Sequence, residues 1–110
     1  MKIVGICGSP RKGNTEWMLR KLLDIVAQSG AETELILLRK KNIKSCNGCL
    51  TCEAGGKGLK GVCTIQDDMQ GIYHKLLKAD GVIFATPVYY WSIAGGAKVF
   101  LDRTHALRFP

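Results

Sequence analysis

Two short runs constrain the fold more than anything else in the chain. KIVGIC at Lys2–Cys7 and GVIFAT at Gly81–Thr86 are rich in apolar and β-branched residues, and each breaks off into a turn built on Gly or Pro. Runs of this kind suit strands buried on both faces of a sheet. Between them the apolar periodicity changes. From Thr15 onward Trp17, Met18, Leu19, Leu22, Leu23, Ile25 and Val26 recur at helical spacing, and Gly30 is a plausible stop.

The remaining elements follow the same alternation. Glu34–Leu38 reads as a second strand. Asp67 and Asp68 offer an N-cap for a helix carrying Ile72, Tyr73, Leu76 and Leu77. Pro87–Ser92 reads as a loop and Ala94–Leu107 as a last helix, with Gly95 and Gly96 weakening its start. The order β-α-β-loop-α-β-loop-α implies a parallel sheet with right-handed crossovers. In a flavodoxin-like three-layer α/β/α fold, the first and third strands would be neighbours. Ligands on such sheets bind beyond the carboxyl ends of the strands. The loops after the first and third strands both lie there and would face one another across one crevice.

Length and composition bound the rest. The 110 residues fit one domain, 1–110, and an apolar fraction of 46% supports a core. No apolar run approaches the roughly 18 residues that a membrane span needs. The apolar start, MKIVGIC, is too short for a signal peptide. The expectation is a non-exported, cytoplasmic chain away from membranes, in which clustered cysteines bind metal or do redox work rather than form disulfides. Sixteen basic against nine acidic residues leave a net charge of +7, which attracts nucleic acid, phosphorylated cofactors or acidic proteins. No zinc finger and no RNA-recognition motif is present, so nucleic acid is not the expected partner.

The loop GSPRKGNT (Gly8–Thr15) places Ser9, Arg11, Asn14 and Thr15 at a helix start. Open backbone N–H groups and the helix dipole favour an anion there, and Arg11 adds charge-assisted bonds to a phosphate. The bland alternative is a Ser/Pro/Gly turn capped by Asn14 or Thr15. The loop TPVYYWS (Thr86–Ser92) sets Tyr89, Tyr90 and Trp91 side by side. They cannot all face the core, so some lie against solvent, a partner or a flat ligand. A flat phosphorylated ligand joins the two loops, and FMN fits: its phosphate on the first, its ring on the second.

Residues 42–66 form an irregular Cys-rich segment. SCNGCLTC spaces Cys46, Cys49 and Cys52 three apart, and Cys63 follows eleven positions later. Zinc sites more often pair two separated knuckles or include His, and neither His74 nor His105 is near in sequence. A C-x2-C-x2-C run with one distant Cys suits a cubane cluster, while free thiols in a loop are the competing reading. Arg39, Lys40, Lys41, Lys44, Lys57 and Lys60 surround the motif and could offset a cluster's negative charge. Cys7 reads as a small buried residue. No catalytic side chain stands out, because neither a Ser-His-Asp set nor paired acids appear.

Taken together, KIVGICGSPRKGNT, the Cys-rich loop running into DDM at 67–69, and ATPVYYWSIAGGAKVFLDRT at 85–104 resemble the superfamily of NADPH-dependent FMN reductases and iron-sulfur flavoproteins. The resemblance implies an FMN-binding oxidoreductase, with Ser9, Arg11, Asn14 and Thr15 on the phosphate and Pro87, Val88, Tyr89, Tyr90, Trp91 and Ser92 along the ring and ribityl chain. It implies NAD(P)H as electron donor, or a [4Fe–4S] cluster on Cys46, Cys49, Cys52 and Cys63 fed by an acidic ferredoxin. Such relatives run on past Pro110 with further strands, so a fragment or a homo-oligomer is expected. A metal-binding electron carrier, or a truncated non-catalytic piece, is the alternative function.

Overall fold

The computed structural model describes residues 1–53 and 60–108. In chain order it contains β1 (Lys2–Cys7), α1 (Asn14–Gln28), β2 (Glu32–Leu37), a 3-10 turn at Leu38–Lys40, α2 (Met69–Lys78), β3 (Gly81–Ala85), β4 (Val88–Tyr89), β5 (Ser92–Ile93), α3 (Gly95–Arg103) and a 3-10 turn at Thr104–Arg108. β1 lies between β2 and β3 and runs parallel to both. Cys7 stands opposite Leu37 on one side and Ala85 on the other.

The period-two alternation of strand side chains divides the core into two layers. Val4, Ile6, Ile36 and Phe84 pack with Leu38 against Met69, Ile72, Tyr73, Phe100 and Ala106 from the α2/α3 side. The rings of Phe84 and Phe100 stack at 5.7 Å between centroids. Ile3, Cys7, Leu35, Leu37, Ile83 and Ala85 face Leu19 and Leu23 of α1 on the opposite side. This is the expected three-layer α/β/α arrangement, and Cys7 is the buried filler that its position in a strand suggested.

Three boundaries differ from the sequence reading. β2 starts at Glu32, whose backbone N–H donates to Met1 O at 2.9 Å; exposed polar residues at the strand start hide this pairing. The last helix ends at Arg103 rather than Leu107. There the Thr104 hydroxyl donates to Leu101 O at 2.6 Å and the chain tightens into a 3-10 turn. Pro87–Ser92 is not an open loop but the core of a hairpin, β4 against β5, with Tyr89 opposite Ser92. Two-residue strands are too short to show a period, and Tyr90 and Trp91 adopt positive φ (47° and 66°), as a two-residue type I′ turn demands.

The helical periodicity of α1 is wider than the face that is covered. Leu19 and Leu23 are buried, whereas Trp17, Met18, Leu22 and Ile25 are exposed. Trp17, Met18, Leu19, Leu22, Ile83 and Ala85 line an apolar groove of about 460 Å³ beside β3. Among the described residues no strand pairs with the outer edge of β3. Among them, too, no helix is long and apolar enough to cross a membrane.

Candidate functional site

The carboxyl edge of the sheet is assembled from the end of β1. Gly8 N–H donates to Ala85 O at 2.7 Å, which holds the first turn against β3. A Cβ on Gly8 would lie 2.7 Å from Ala97 Cβ and 3.3 Å from Ala85 O, so only glycine lets this turn rest on α3. Ser9 is buried. Its hydroxyl donates to Arg11 O at 2.9 Å and accepts Arg11 N–H at 3.3 Å. Its proton is therefore committed to the turn. The Arg11 guanidinium folds back over Gly13, about a van der Waals contact from where a Cβ would sit.

Gly13 occupies the N-cap of α1 and no side chain caps the helix. Neither Asn14 nor Thr15, the caps of the bland alternative, caps it; both belong to the first helical turn. The uncapped turn presents backbone N–H groups outward, with the positive end of the dipole behind them. Glu16 would oppose an anion here, but it is buried and neutralised. Arg20 Nε donates to Glu16 Oε2 at 2.9 Å and an Arg39 NH group donates to Oε1 at 2.5 Å. These bonds, Arg20's first, hold the Glu16 carboxyl below its ordinary range. Arg11, Arg20 and Arg39 thus outnumber the single carboxylate at this corner.

Across the crevice, Thr86 closes the base of the hairpin. Its hydroxyl donates to Pro87 O at 2.9 Å and accepts Ala94 N–H at 3.1 Å. Val88, Tyr89 and Ser92 are exposed, and Tyr90 and Trp91 stand 95% and 93% exposed at the tip. α3 begins at Gly95 with no capping side chain, and nothing lies within 4 Å of a Cβ built on Gly95 or Gly96. Gly8, Ser9, Pro10, Arg39, Gly95 and Gly96 line a cavity of about 310 Å³ between the loops. Asn14, Thr15 and the hairpin aromatics stand outside its lining.

The thiols sit elsewhere. Cys46 and Cys49 are exposed, while Cys52 and Cys63 are half-buried against the α2/α3 face of the core. Gly48 N–H donates to Cys46 Sγ at 3.5 Å, and Cys49 Sγ pairs with Thr51 Oγ1 at 3.2 Å. The Thr51 hydroxyl lowers the Cys49 pKa, whereas burial raises that of Cys52. Gly61 N–H donates to Cys52 O at 2.9 Å, and the Thr51 and Thr64 hydroxyls meet at 3.4 Å, which sets the two half-buried thiols on adjoining strands of the segment. Among the described residues no three His, Cys, Asp or Glu side chains gather closely enough to hold a metal ion. The thiols as arranged therefore do not fit a preassembled cluster. Cys46 instead lines a separate hollow of about 600 Å³ with Leu101, Asp102, Thr104, His105 and Arg108.

Comparison with known proteins decides the family. The profile for NADPH-dependent FMN reductase matches residues 1–109. The chain belongs to the NADPH-dependent FMN reductase family. Among family relatives, an iron-sulfur flavoprotein of Methanocaldococcus jannaschii is 41% identical over 98% of this chain and 54% of its own length. One from Methanosarcina thermophila is 38% identical, again over 98% and 54%. The chain spans about half the length of the curated relatives it matches. A flavone reductase structure superposes with a TM-score of 0.70 at 29% identity, over 94% of this chain and 29% of that one.

Within this FMN reductase frame, some residues were invisible to sequence reasoning. Arg39 is near the basic residues of the thiol segment in sequence; the fold turns it instead to Glu16, at the corner of the first loop. Glu16 and Arg20 carry a readable i,i+4 spacing, but nothing in the sequence points to a third partner 23 residues on. Lys40, Lys41, Lys44 and Lys60 are exposed, and Lys57 lies outside the described residues. His74 is exposed, and His105 meets Glu53, the neighbour of Cys52, at 2.8 Å.

Proposed function

We propose that this chain is the flavin-binding part of an FMN-dependent oxidoreductase, with NAD(P)H as electron donor. The observation that carries the reading is the uncapped, guanidinium-lined start of α1 placed at the same sheet edge as a hairpin of exposed aromatics. Bound FMN would supply the hydride and single-electron chemistry. The chain's own part is to bind and orient. The first-turn N–H groups, Arg11, Asn14 and Thr15 take the phosphate, and Ser9 shapes the turn that presents them. Pro87, Val88, Tyr89, Tyr90, Trp91 and Ser92 supply the surface for the ring and ribityl chain. No side chain is assigned an acid–base role. Titration with FMN, followed by visible absorption, tests the reading. Saturable binding that weakens in Arg11→Ala supports it; no binding by the wild-type chain at millimolar FMN sinks it.

The finer part of the proposal concerns the thiols and the assembly. The family relatives' names and the spacing of Cys46, Cys49, Cys52 and Cys63 support uptake of a [4Fe–4S] cluster, which requires these thiols to draw together. The exposed lysines beside them suit an acidic, ferredoxin-type donor. Iron and sulfide content after anaerobic reconstitution decides this; fewer than one cluster per several chains argues against it. Residues 1–110 are read as the N-terminal portion of one flavodoxin-like domain working in a reducing, cytoplasmic setting. The open edge of β3 and the groove beside it favour self-association, a homo-oligomer of this chain. Sedimentation equilibrium showing only monomer at 100 μM, a concentration of order typical for weak association, contradicts that part.

A further inference from the structure

The Cys-rich segment begins after Lys44 and ends at Asp67, and these two ends are tied together. Asp67 Oδ2 accepts Lys44 N–H at 2.8 Å. Asp68 Oδ2 accepts Asn42 N–H at 2.6 Å, and Asp68 N–H donates to Asn42 O at 3.0 Å. Through the middle runs Arg103, the last residue of α3. One of its terminal nitrogens donates to Lys44 O at 2.8 Å and to Asp67 Oδ2 at 2.6 Å, and the other to Asp67 Oδ1 at 3.1 Å. Both side chains are fully buried. One guanidinium therefore grips the outgoing strand, the returning strand and, through its own backbone, α3.

Further bonds carry the hold toward the half-buried thiols. Tyr73 OH donates to Arg103 O at 2.6 Å, and Tyr73 shares the wall of a small cavity with Cys63 and Gln70. Gln70 Nε2 donates to Cys63 O at 3.0 Å and to Ile65 O at 2.6 Å. Cys46 and Cys49 are the exposed pair: among the described residues they bond to Gly48, Asn47 and Thr51, with the Thr64 hydroxyl also beside the Cys49 thiol. The segment has a bolted neck and an exposed outer turn.

We propose that Arg103 is the positioning residue of the thiol segment: its guanidinium closes the neck between Lys44 and Asp67 and thereby fixes Cys52 and Cys63 on the domain, before any group binds. The physical reason is geometric. A planar fork with parallel donors can satisfy a carboxylate and a backbone carbonyl at once, which a lysine's single ammonium does not reproduce. It also follows that Cys46 and Cys49 are the thiols that must move when the segment takes a ligand. The proposal rests on the thiol-segment reading above for its purpose, but it concerns the position of the segment and not FMN binding.

Site-resolved alkylation tests it: iodoacetamide is added to the full chain, and each cysteine is followed by mass spectrometry. In Arg103→Met, Cys52 and Cys63 are expected to react at least tenfold faster than in wild type. Cys46 and Cys49 are expected to change less than about twofold, being exposed already, and Cys7 is expected to stay protected; these ratios follow from reaction through opened states. Arg103→Lys should fall between the two. The double variant Asp67→Asn/Arg103→Met removes the neck without stranding a buried charge and should show the same pattern. Unchanged rates at Cys52 and Cys63, or a parallel rise at Cys7, overturn the proposal. A measurement on wild-type protein stands beside it. The amides of Lys44, Asp68 and Met69 should exchange with deuterium as slowly as those of β1, and equal rates for these amides and for residues 46–50 would refute it. FMN titration of the same variants separates the two readings, because neither Lys44, Asp67 nor Arg103 lines the crevice and loss of the neck should leave FMN affinity within about threefold.

Discussion

Acid should loosen this protein through one carboxylate in particular. Burial by itself would raise the Asp67 pKa. Arg103, Lys44 N–H and Met69 N–H outweigh that effect and hold it at about 2, against an ordinary value of 3.8. That lowering is worth about 2 kcal/mol. The sign follows from linkage. A carboxyl depressed in the folded state stabilises above its unfolded pKa, and that contribution is lost as pH falls through the folded value. The window is therefore pH 3.8 down to about 2. Glu16 and Glu34 are also lowered by arginine and lysine partners and titrate as well, so wild type alone does not isolate Asp67. Asp67→Asn does. At neutral pH it leaves the Arg103 charge buried without its partner, a loss of about 3–5 kcal/mol. Urea unfolding of both proteins from pH 7 to pH 2 is the assay. The wild-type advantage should shrink by about 2 kcal/mol across the window, since Glu16 and Glu34 cancel in the difference. A gap that stays constant from pH 6 to pH 2 would show that Asp67 is not the depressed group.

Three other outcomes follow from packing and backbone geometry. Gly8→Ala puts a methyl 2.7 Å from Ala97 Cβ; denaturant melts should show a loss of about 1–3 kcal/mol, and an unchanged midpoint would mean that the turn yields freely. Replacing Tyr90-Trp91 by Asn-Gly removes two unfavourable positive-φ side chains and should stabilise by about 1–2 kcal/mol in thermal melts. The same change should weaken FMN binding, and undiminished affinity would remove the aromatics from the ring site. Ile25→Lys places a charge beside the apolar groove along α1 and should abolish any concentration-dependent association seen by sedimentation; persistence of the oligomer would move the interface elsewhere.

What could be read from the chain alone were the features set by local chemistry. β-branched runs, helical spacing and Gly/Pro punctuation yielded the parallel α/β order, because each element's apolar period is a property of a few consecutive residues. The first loop was legible for the same reason: Gly8, Ser9 and Pro10 line the carboxyl-edge crevice, whereas the adjacent aromatics stand outside its lining. The hairpin stayed hidden because its strands are two residues long and its turn residues are Tyr90 and Trp91 rather than Asn and Gly. Arg39 was assigned to the thiols by nearness in sequence, yet parallel pairing of β2 with β1 carries it to Glu16. Most plainly, DRT at 102–104 reads only as part of the last helix, expected over Ala94–Leu107. Only the folding of α3 across the sheet brings Arg103 to Asp67, 36 positions back, where removal from water makes a carboxylate and a guanidinium require one another. The sequence by itself determined which thiols exist and how they are spaced. Folding left Cys52 and Cys63 half-buried and Cys46 and Cys49 exposed, because the α2/α3 face of the core packs against the first pair.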